Sequence, residues 1–324
     1  MGSSHLTVES PAHGWQEAVP VETISDLREQ PNTLLWLDIA DPGPREIELL
    51  RQEFAFHELA LEDAAHRHQR PKCDQYPDYY FIVLYAAEAH DHRIETRELQ
   101  MFWGQNYVVT LHDGPLPLID EARRRWSRGV NRVGDGVAYL AYTLLDSLVD
   151  QYMQVQDAVA EWVEDVEERI YPRPNAAVVG ELFALRKTVV RLRRLLRPTR
   201  DVLNEIIRRD LPLFPEPMRP YFVDVYDHVL RLLDGLDTYR DLLAASLDMY
   251  LSAVSNQLNQ TVKRMTALTL IVMVPTLIAG VYGMNYTASF LPPAETPHAF
   301  LAICLAMLLV AGVMTIVFKR LDWL

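Results

Sequence analysis

The sequence predicts an α+β membrane protein: an N-terminal α/β domain, then a long stalk helix continuing into the first of two C-terminal transmembrane helices. Three observations lead there. Two uncharged apolar runs of 18 and 20 residues, Met265–Tyr282 and Ala299–Phe318, stand near the end of the chain. Short segments rich in β-branched and aromatic residues alternate with amphipathic stretches over roughly the first 115 residues. From Gly134 onward the pattern changes to long helical periodicity.

The elements follow in order. Residues 1–20 are polar and hold no apolar signal-peptide core, so a disordered N-terminus is expected there. "TLLWLDI" (33–39) is a strand, and "PREIELLRQEF" (44–54) and "HELALEDAAH" (57–66) are helices. "YYFIVLYAAEA" (79–89), "ELQMFWG" (98–104) and "NYVVTLH" (106–112) are strands, the last two joined by a hairpin at Gly104-Gln105. Residues 134–171 form one helix that stops before Pro172 and Pro174. Residues 175–198 form the next, antiparallel to it because the turn is short. The first ends in Glu161, Glu164, Asp165, Glu167 and Glu168, and the second carries Arg186, Lys187, Arg191, Arg193, Arg194 and Arg197. These stretches are either two solvated faces or charged rings that act on cations near a membrane.

A Pro-rich break, "LPLFPEPMRP", closes the domain of residues 21–220. From Tyr221 no proline occurs until Pro275, which gives a helix of roughly 90 Å. It divides into a stalk (221–264) and a first membrane span (265–282), followed by an outer loop (283–298), a second span (299–318) and a basic tail (319–324). A helix needs about 20 residues to cross the hydrocarbon layer. Lys263 and Arg264 precede the first span, Lys319 and Arg320 follow the second, and the loop between has no Lys or Arg. The excess of positive charge therefore places both termini in the cytoplasm, with a helical hairpin spanning the cell inner membrane.

Composition narrows the function. A net charge of −13 argues against nucleic acid as a partner. Cys73 and Cys304 lie far apart, with no disulfide or zinc-ligand spacing. No G-x-x-x-x-G-K-[ST] motif occurs, so the sequence carries no P-loop ATPase site.

Stepping back from Gly283 by alternating threes and fours traces one helix face. The positions are Gly283, Gly280, Thr276, Met273, Thr269, Thr266, Val262, Asn259, Ser255, Ser252 and Asp248. Small and polar residues dominate it, while Leu, Ile, Val and Ala dominate the other faces of the span. A packing face would account for Gly280 and Gly283. A water-filled conduit accounts for the whole line, including Ser252, Ser255 and Asn259 in the stalk. Two spans per chain are too few to enclose a pore, so a conduit implies a homo-oligomer with cyclic symmetry.

"YGMN" (282–285), after a Pro-containing span and before a second span and basic tail, resembles the GMN motif of CorA-type divalent-cation channels. "LEDAAHRHQRPK" (61–72), "YYFIVLYA" (79–86), the stretch 247–285 and the terminal "KRLDWL" are similar to that family too. The resemblance implies a funnel-shaped homopentamer in the lipid bilayer that conducts Mg²⁺, with Co²⁺ or Ni²⁺ as further cargo. It implies a selectivity filter at Gly283, Met284 and Asn285, and pore rings at Thr276, Met273 and Asn259, with Thr269, Thr266 and Val262 between them. It also implies an intracellular regulatory site for Mg²⁺ in which Asp63 of one subunit, with Glu62 beside it, meets Asp248 of the next. The outer loop departs from the family pattern, for its only acid is Glu295. A zinc transporter of the same superfamily is therefore the alternative.

Two other classes remain at this point. A membrane-anchored enzyme is disfavoured, since "HELAL" misses the H-E-x-x-H spacing at Leu61. The histidines of "HRH" (66–68) and "HDH" (90–92) read as surface or loop residues, or as transition-metal ligands. A membrane-anchored sensor would bind a divalent ion without conducting it.

Overall fold

The computed structural model describes residues 3–11, 14–128, 136–170, 176–208, 215–284 and 298–324. The chain divides into two compact units. The first comprises Met1–Arg169 with Asn175–Ala245, and the second Ile170–Pro174 with Ser246–Leu324.

The first unit is built on a seven-stranded sheet. Its strands are β1 (Ser3–Ser10), β2 (Gly14–Val19), β3 (Leu34–Ala40), β4 (Lys72–Gln75), β5 (Tyr79–His90), β6 (Arg93–Gly104) and β7 (Tyr107–His112). The order is β2-β1-β3-β7-β6-β5-β4, with only the β3–β7 pair parallel. Side chains alternate between faces along each strand. Leu35, Leu37 and Ile39 of β3 join Phe81 and Val83 of β5 and Val109 and Leu111 of β7 in one core. That core takes in Ile24 of α1 (Ile24–Arg28), Leu50 and Phe54 of α2 (Pro44–Phe54), and Ala60, Leu61 and Ala64 of α3 (Glu58–Ala65).

The alternate residues face a second helical layer: α4 (Pro117–Arg128), α5 (Gly136–Ile170), α6 (Ala176–Arg208) and the start of α7 (Arg219–Gly283). Trp36 meets Trp126 of α4 edge-on at 5.9 Å, and Trp103 stacks on Phe222 of α7 at 5.8 Å. Tyr152 of α5 donates its hydroxyl to the Tyr85 carbonyl at 2.5 Å. Trp36, Trp103 and Trp126 are fully buried, and truncating any one to Ala would cost about 3–5 kcal/mol.

Local sequence explains the helices that position the site. α2 starts at Gly43-Pro44, with proline in the first turn where no N–H is needed. The Glu46 carboxylate accepts the Gly43 N–H at 2.8 Å. α3 starts at His57, whose Nδ1 accepts the Leu59 N–H at 3.2 Å.

Several expectations need correction. The N-terminal residues 3–11 and 14–20 are ordered; β1 inserts between β2 and β3, pairing from Ser3↔Ala40 to Glu9↔Leu34. Leu6 and Val8 become fully buried there, although two apolar residues in a polar segment carry little signal alone. β4 and α4 were not anticipated. α6 runs ten residues past Pro198, where Thr199 donates its hydroxyl to the Leu195 carbonyl at 2.9 Å.

The second unit holds the rest of α7, from Ser246, and α8 (Ala299–Arg320). α7 is continuous over 65 residues despite Pro275. Both helices are long and apolar enough to cross a membrane, and their apolar windows are almost entirely unburied in the single chain.

Candidate functional site

The polar line predicted along α7 lies on one open face. Asp248, Ser252, Ser255, Asn259, Val262, Thr266, Thr269, Met273, Thr276, Gly280 and Gly283 are all exposed. Within the span from Thr266 to Gly283, the covered positions are Ala267, Leu270, Ile271, Val274, Pro275 and Ile278. At 100° per residue these cluster on the opposite side of the helix. The polar face is thus not the one this chain covers for itself.

Chemistry on that face suits a cation. Thr269 donates its hydroxyl to the Met265 carbonyl and Thr276 donates to the Val272 carbonyl, each at 2.8 Å. With the proton committed inward, the oxygen lone pairs remain as acceptors. A Cβ built on Gly280 or Gly283 would meet nothing within 4 Å, so packing within the chain does not call for glycine at either position. Gly283 is the last residue of α7, and the Met284 N–H reaches back to the Val281 carbonyl at 3.4 Å. Asn285 and Glu295 lie outside the described residues.

Val272 is 66% exposed and Leu308 70%. Contiguous apolar surface of this extent needs a bilayer or another protein surface against it.

The three carboxylates expected at a metal site sit on two elements, α3 and α7. Glu62 is exposed on α3, next to half-buried Asp63. Asp248 is exposed on α7 and belongs to the second unit. Asp63 is held by Lys72 of β4, whose Nζ is 2.5 Å from Asp63 Oδ2 and 2.5 Å from Asp74 Oδ2. Burial works against the Lys72 charge, yet hydrogen bonds to Asp63 and Asp74 outweigh it and raise its pKa. Glu62, Asp63 and Asp74 line an open cleft of about 880 Å³ together with Leu59, Cys73, Gln75, Tyr76 and Glu205. Among the described residues, no three His, Cys, Asp or Glu side chains of one chain converge to hold a metal. A site using Asp63 therefore draws further ligands from water or another subunit.

Two residues that support Asp63 and its neighbouring turn were not singled out from sequence. Lys72 lies in a quoted stretch, but its pairing nine residues back to Asp63 depends on the turn between α3 and β4. Glu98 of β6, 8% exposed, anchors that turn. Its Oε2 accepts from the backbone N–H of His68 (2.6 Å) and Gln69 (3.2 Å), and it shares the Tyr85 hydroxyl (3.1 Å) with the nearer Gln69 carbonyl (2.5 Å). Its Oε1 accepts from Gln100 Nε2 at 2.7 Å. The Tyr85 phenol is pushed up by burial and by the Glu98 charge, so it stays a donor. Three histidines find structural uses: His57 caps α3, His66 Nδ1 lies 2.8 Å from the Glu62 carbonyl, and His92 packs on Trp162 at 5.1 Å.

An α/β domain in one chain with two bilayer-length apolar helices, the first bearing a polar line, has the make-up of a two-span membrane protein. Residues 31–320 match the family described as "CorA-like Mg2+ transporter protein", and the chain belongs to that family of divalent-cation transporters. The "Cobalt/magnesium transport protein CorA" of Thermotoga maritima is 32% identical over 309 residues, covering 94% of this chain and 87% of the relative. The complete structure of the CorA magnesium transporter from Methanocaldococcus jannaschii superposes with a TM-score of 0.83 at 25% identity, covering 99% of this chain and 98% of that one. A more distant relative is the "Zinc transport protein ZntB" of Pectobacterium carotovorum, 23% identical over 296 residues, covering 89% of this chain and 88% of that protein.

Proposed function

We propose that the protein is a passive channel carrying Mg²⁺, and with it Co²⁺ or Ni²⁺, into the cytoplasm as a homopentamer in the cell inner membrane, both termini cytoplasmic. The observation that carries this reading is the open polar face of α7, opposite the face the chain covers for itself. Copies arranged about an axis would turn Asn259, Val262, Thr266, Thr269, Met273 and Thr276 inward as rings. The bare Gly280 and Gly283 would admit close approach of neighbours at the outer end. At the mouth, Gly283 and Met284 would present the Asn285 carboxamide to an arriving ion.

The chemistry fits Mg²⁺, which gives up its water reluctantly and prefers octahedral oxygen coordination. Neutral carboxamide and hydroxyl oxygens hydrogen-bond a hydration shell without stripping it, and their weakness permits release. Two charges moving down about 100 mV gain about 4.6 kcal/mol, so no other energy source is needed. Internal Mg²⁺ would bridge Asp63 of one subunit, with Glu62 nearby, to Asp248 of the next and hold the pore closed. When Mg²⁺ falls, the unbridged carboxylates repel and the pore opens.

Flux into proteoliposomes tests the reading. Saturable Mg²⁺ uptake driven by an inside-negative potential, lost on Asn285→Ala, is expected. Zn²⁺ uptake coupled to a proton gradient would instead place the protein with its ZntB relative. Divalent-ion binding with no flux of any ion would make it a non-conducting sensor and refute the channel.

A further inference from the structure

We infer that Lys72 is a tethered cation that contends with divalent metal for Asp63, and so sets the internal Mg²⁺ concentration at which transport shuts off. This rests on the regulatory reading of Asp63 given above. Lys72 stands on β4 beside the cleft, and its side chain is shared between two carboxylates, Asp63 Oδ2 and Asp74 Oδ2, both at 2.5 Å. Lys72 and Asp74 are two residues apart and so point to the same side of the strand. The ammonium also lies 5.4 Å from the centre of the Phe81 ring, which favours the cation where it is.

An ammonium has three donors and no lone pair, so it cannot serve as a ligand to a metal. The ammonium takes up one lone pair of Asp63 Oδ2, and its charge beside the carboxylate repels a divalent ion arriving at either oxygen. Lys72 can leave without stranding its charge, because Asp74 remains as a second seat. The side chains of Lys72 and Asp63 are 28% and 32% exposed, so the pair is partly shielded from solvent without being sealed from it. That is the condition for a contact strong enough to compete and weak enough to exchange. Removing the ammonium should therefore let Mg²⁺ reach Asp63 at lower concentration.

The test uses full-length protein in proteoliposomes, with internal Mg²⁺ varied and Mg²⁺ uptake measured. Four variants are compared: Lys72→Met, Lys72→Arg, Arg70→Met and Asp63→Asn. Lys72→Met is expected to lower the half-inhibiting internal Mg²⁺ about fivefold, the effect of a partly exposed ion pair. Lys72→Arg keeps the charge and stays near the parent. Arg70→Met removes a cation from an exposed position two residues earlier and shifts the midpoint by less than about twofold. Asp63→Asn abolishes inhibition. An unmoved Lys72→Met midpoint, with Asp63→Asn insensitive to Mg²⁺, overturns the inference and leaves the regulatory reading standing. Equal shifts in Lys72→Met and Arg70→Met overturn it too, because general charge and not contact would be responsible. Normal inhibition in Asp63→Asn overturns the regulatory reading and this inference with it. If Lys72→Met does not assemble, Lys72→Gln supplies the same comparison.

Discussion

Replacing Glu98 separates the charge of a buried acceptor from its shape. The parent carboxylate takes two backbone N–H groups of the turn between α3 and β4 and the Gln100 amide, and shares the Tyr85 hydroxyl with the Gln69 carbonyl. Hydrogen bonds to a charged acceptor are worth roughly twice neutral ones. Glu98→Gln keeps one oxygen for the His68, Gln69 and Tyr85 donors and loses the charge, at about 0.7 kcal/mol each, or about 2 kcal/mol. Its new amide N–H₂ faces Gln100, whose Oε1 is buried and has no partner in the parent. A flip of the Gln100 amide would pair the two, so Gln is tolerated on that side. Glu98→Ala offers no acceptor and should cost about 4 kcal/mol. At roughly 3 °C per kcal/mol for a domain of this size, the midpoints should fall by about 6 °C and about 12 °C. Thermal unfolding of the full chain in detergent micelles, followed by tryptophan fluorescence, measures both. Equal losses for Gln and Ala, or midpoints within about a degree of the parent, would refute the hydrogen-bond accounting.

Three further outcomes follow from the same geometry. Thr276→Val keeps shape but removes the outward oxygen, and should lower Mg²⁺ flux about tenfold while Thr276→Ser retains it; equal flux in both would take Thr276 out of the pore. A Cβ at Gly280 meets nothing within 4 Å, so Gly280→Ala should leave the thermal midpoint within about 2 °C while weakening self-association in cross-linking and sedimentation experiments; an intact assembly would remove the glycine from the subunit contact. His112 is raised in pKa: its burial opposes protonation, but Asp38, the Gly114 carbonyl and Asp41 outweigh it. The stability it contributes is full below the unfolded value of about 6.5 and is lost as pH rises through the higher folded value. The stability gap between the parent and His112→Gln should therefore be larger at pH 6 than at pH 8.5. A gap that widens with rising pH would reverse the assignment.

Local pattern determined what sequence could reveal. β5, β6 and β7 were legible because their β-branched and aromatic runs are dense, and the hairpin at Gly104-Gln105 is short-range. The face of α7 was legible because helical spacing needs no tertiary information. β1 was hidden because Leu6 and Val8 acquire their meaning only beside β3. β4, "KCDQ", has no apolar periodicity, and its strand conformation comes from pairing with Tyr80–Val83. Glu98 and Lys72 were missed for a different reason: whether a charged side chain is a solvated ornament or a buried hub depends on which loop folds over it. Which side of α7 the chain covers for itself likewise appeared only once the helix was in place.

The position of β1 in the sheet has a practical meaning for anyone shortening this protein. Cutting the chain back to residue 20 looks harmless from composition, yet it would strip β3 of a partner along seven paired residues. A row of backbone donors and acceptors would then face water beside Leu35, Leu37 and Ile39, as a template for pairing with another chain. The first twenty residues thus act as the sheet's guard against aggregation.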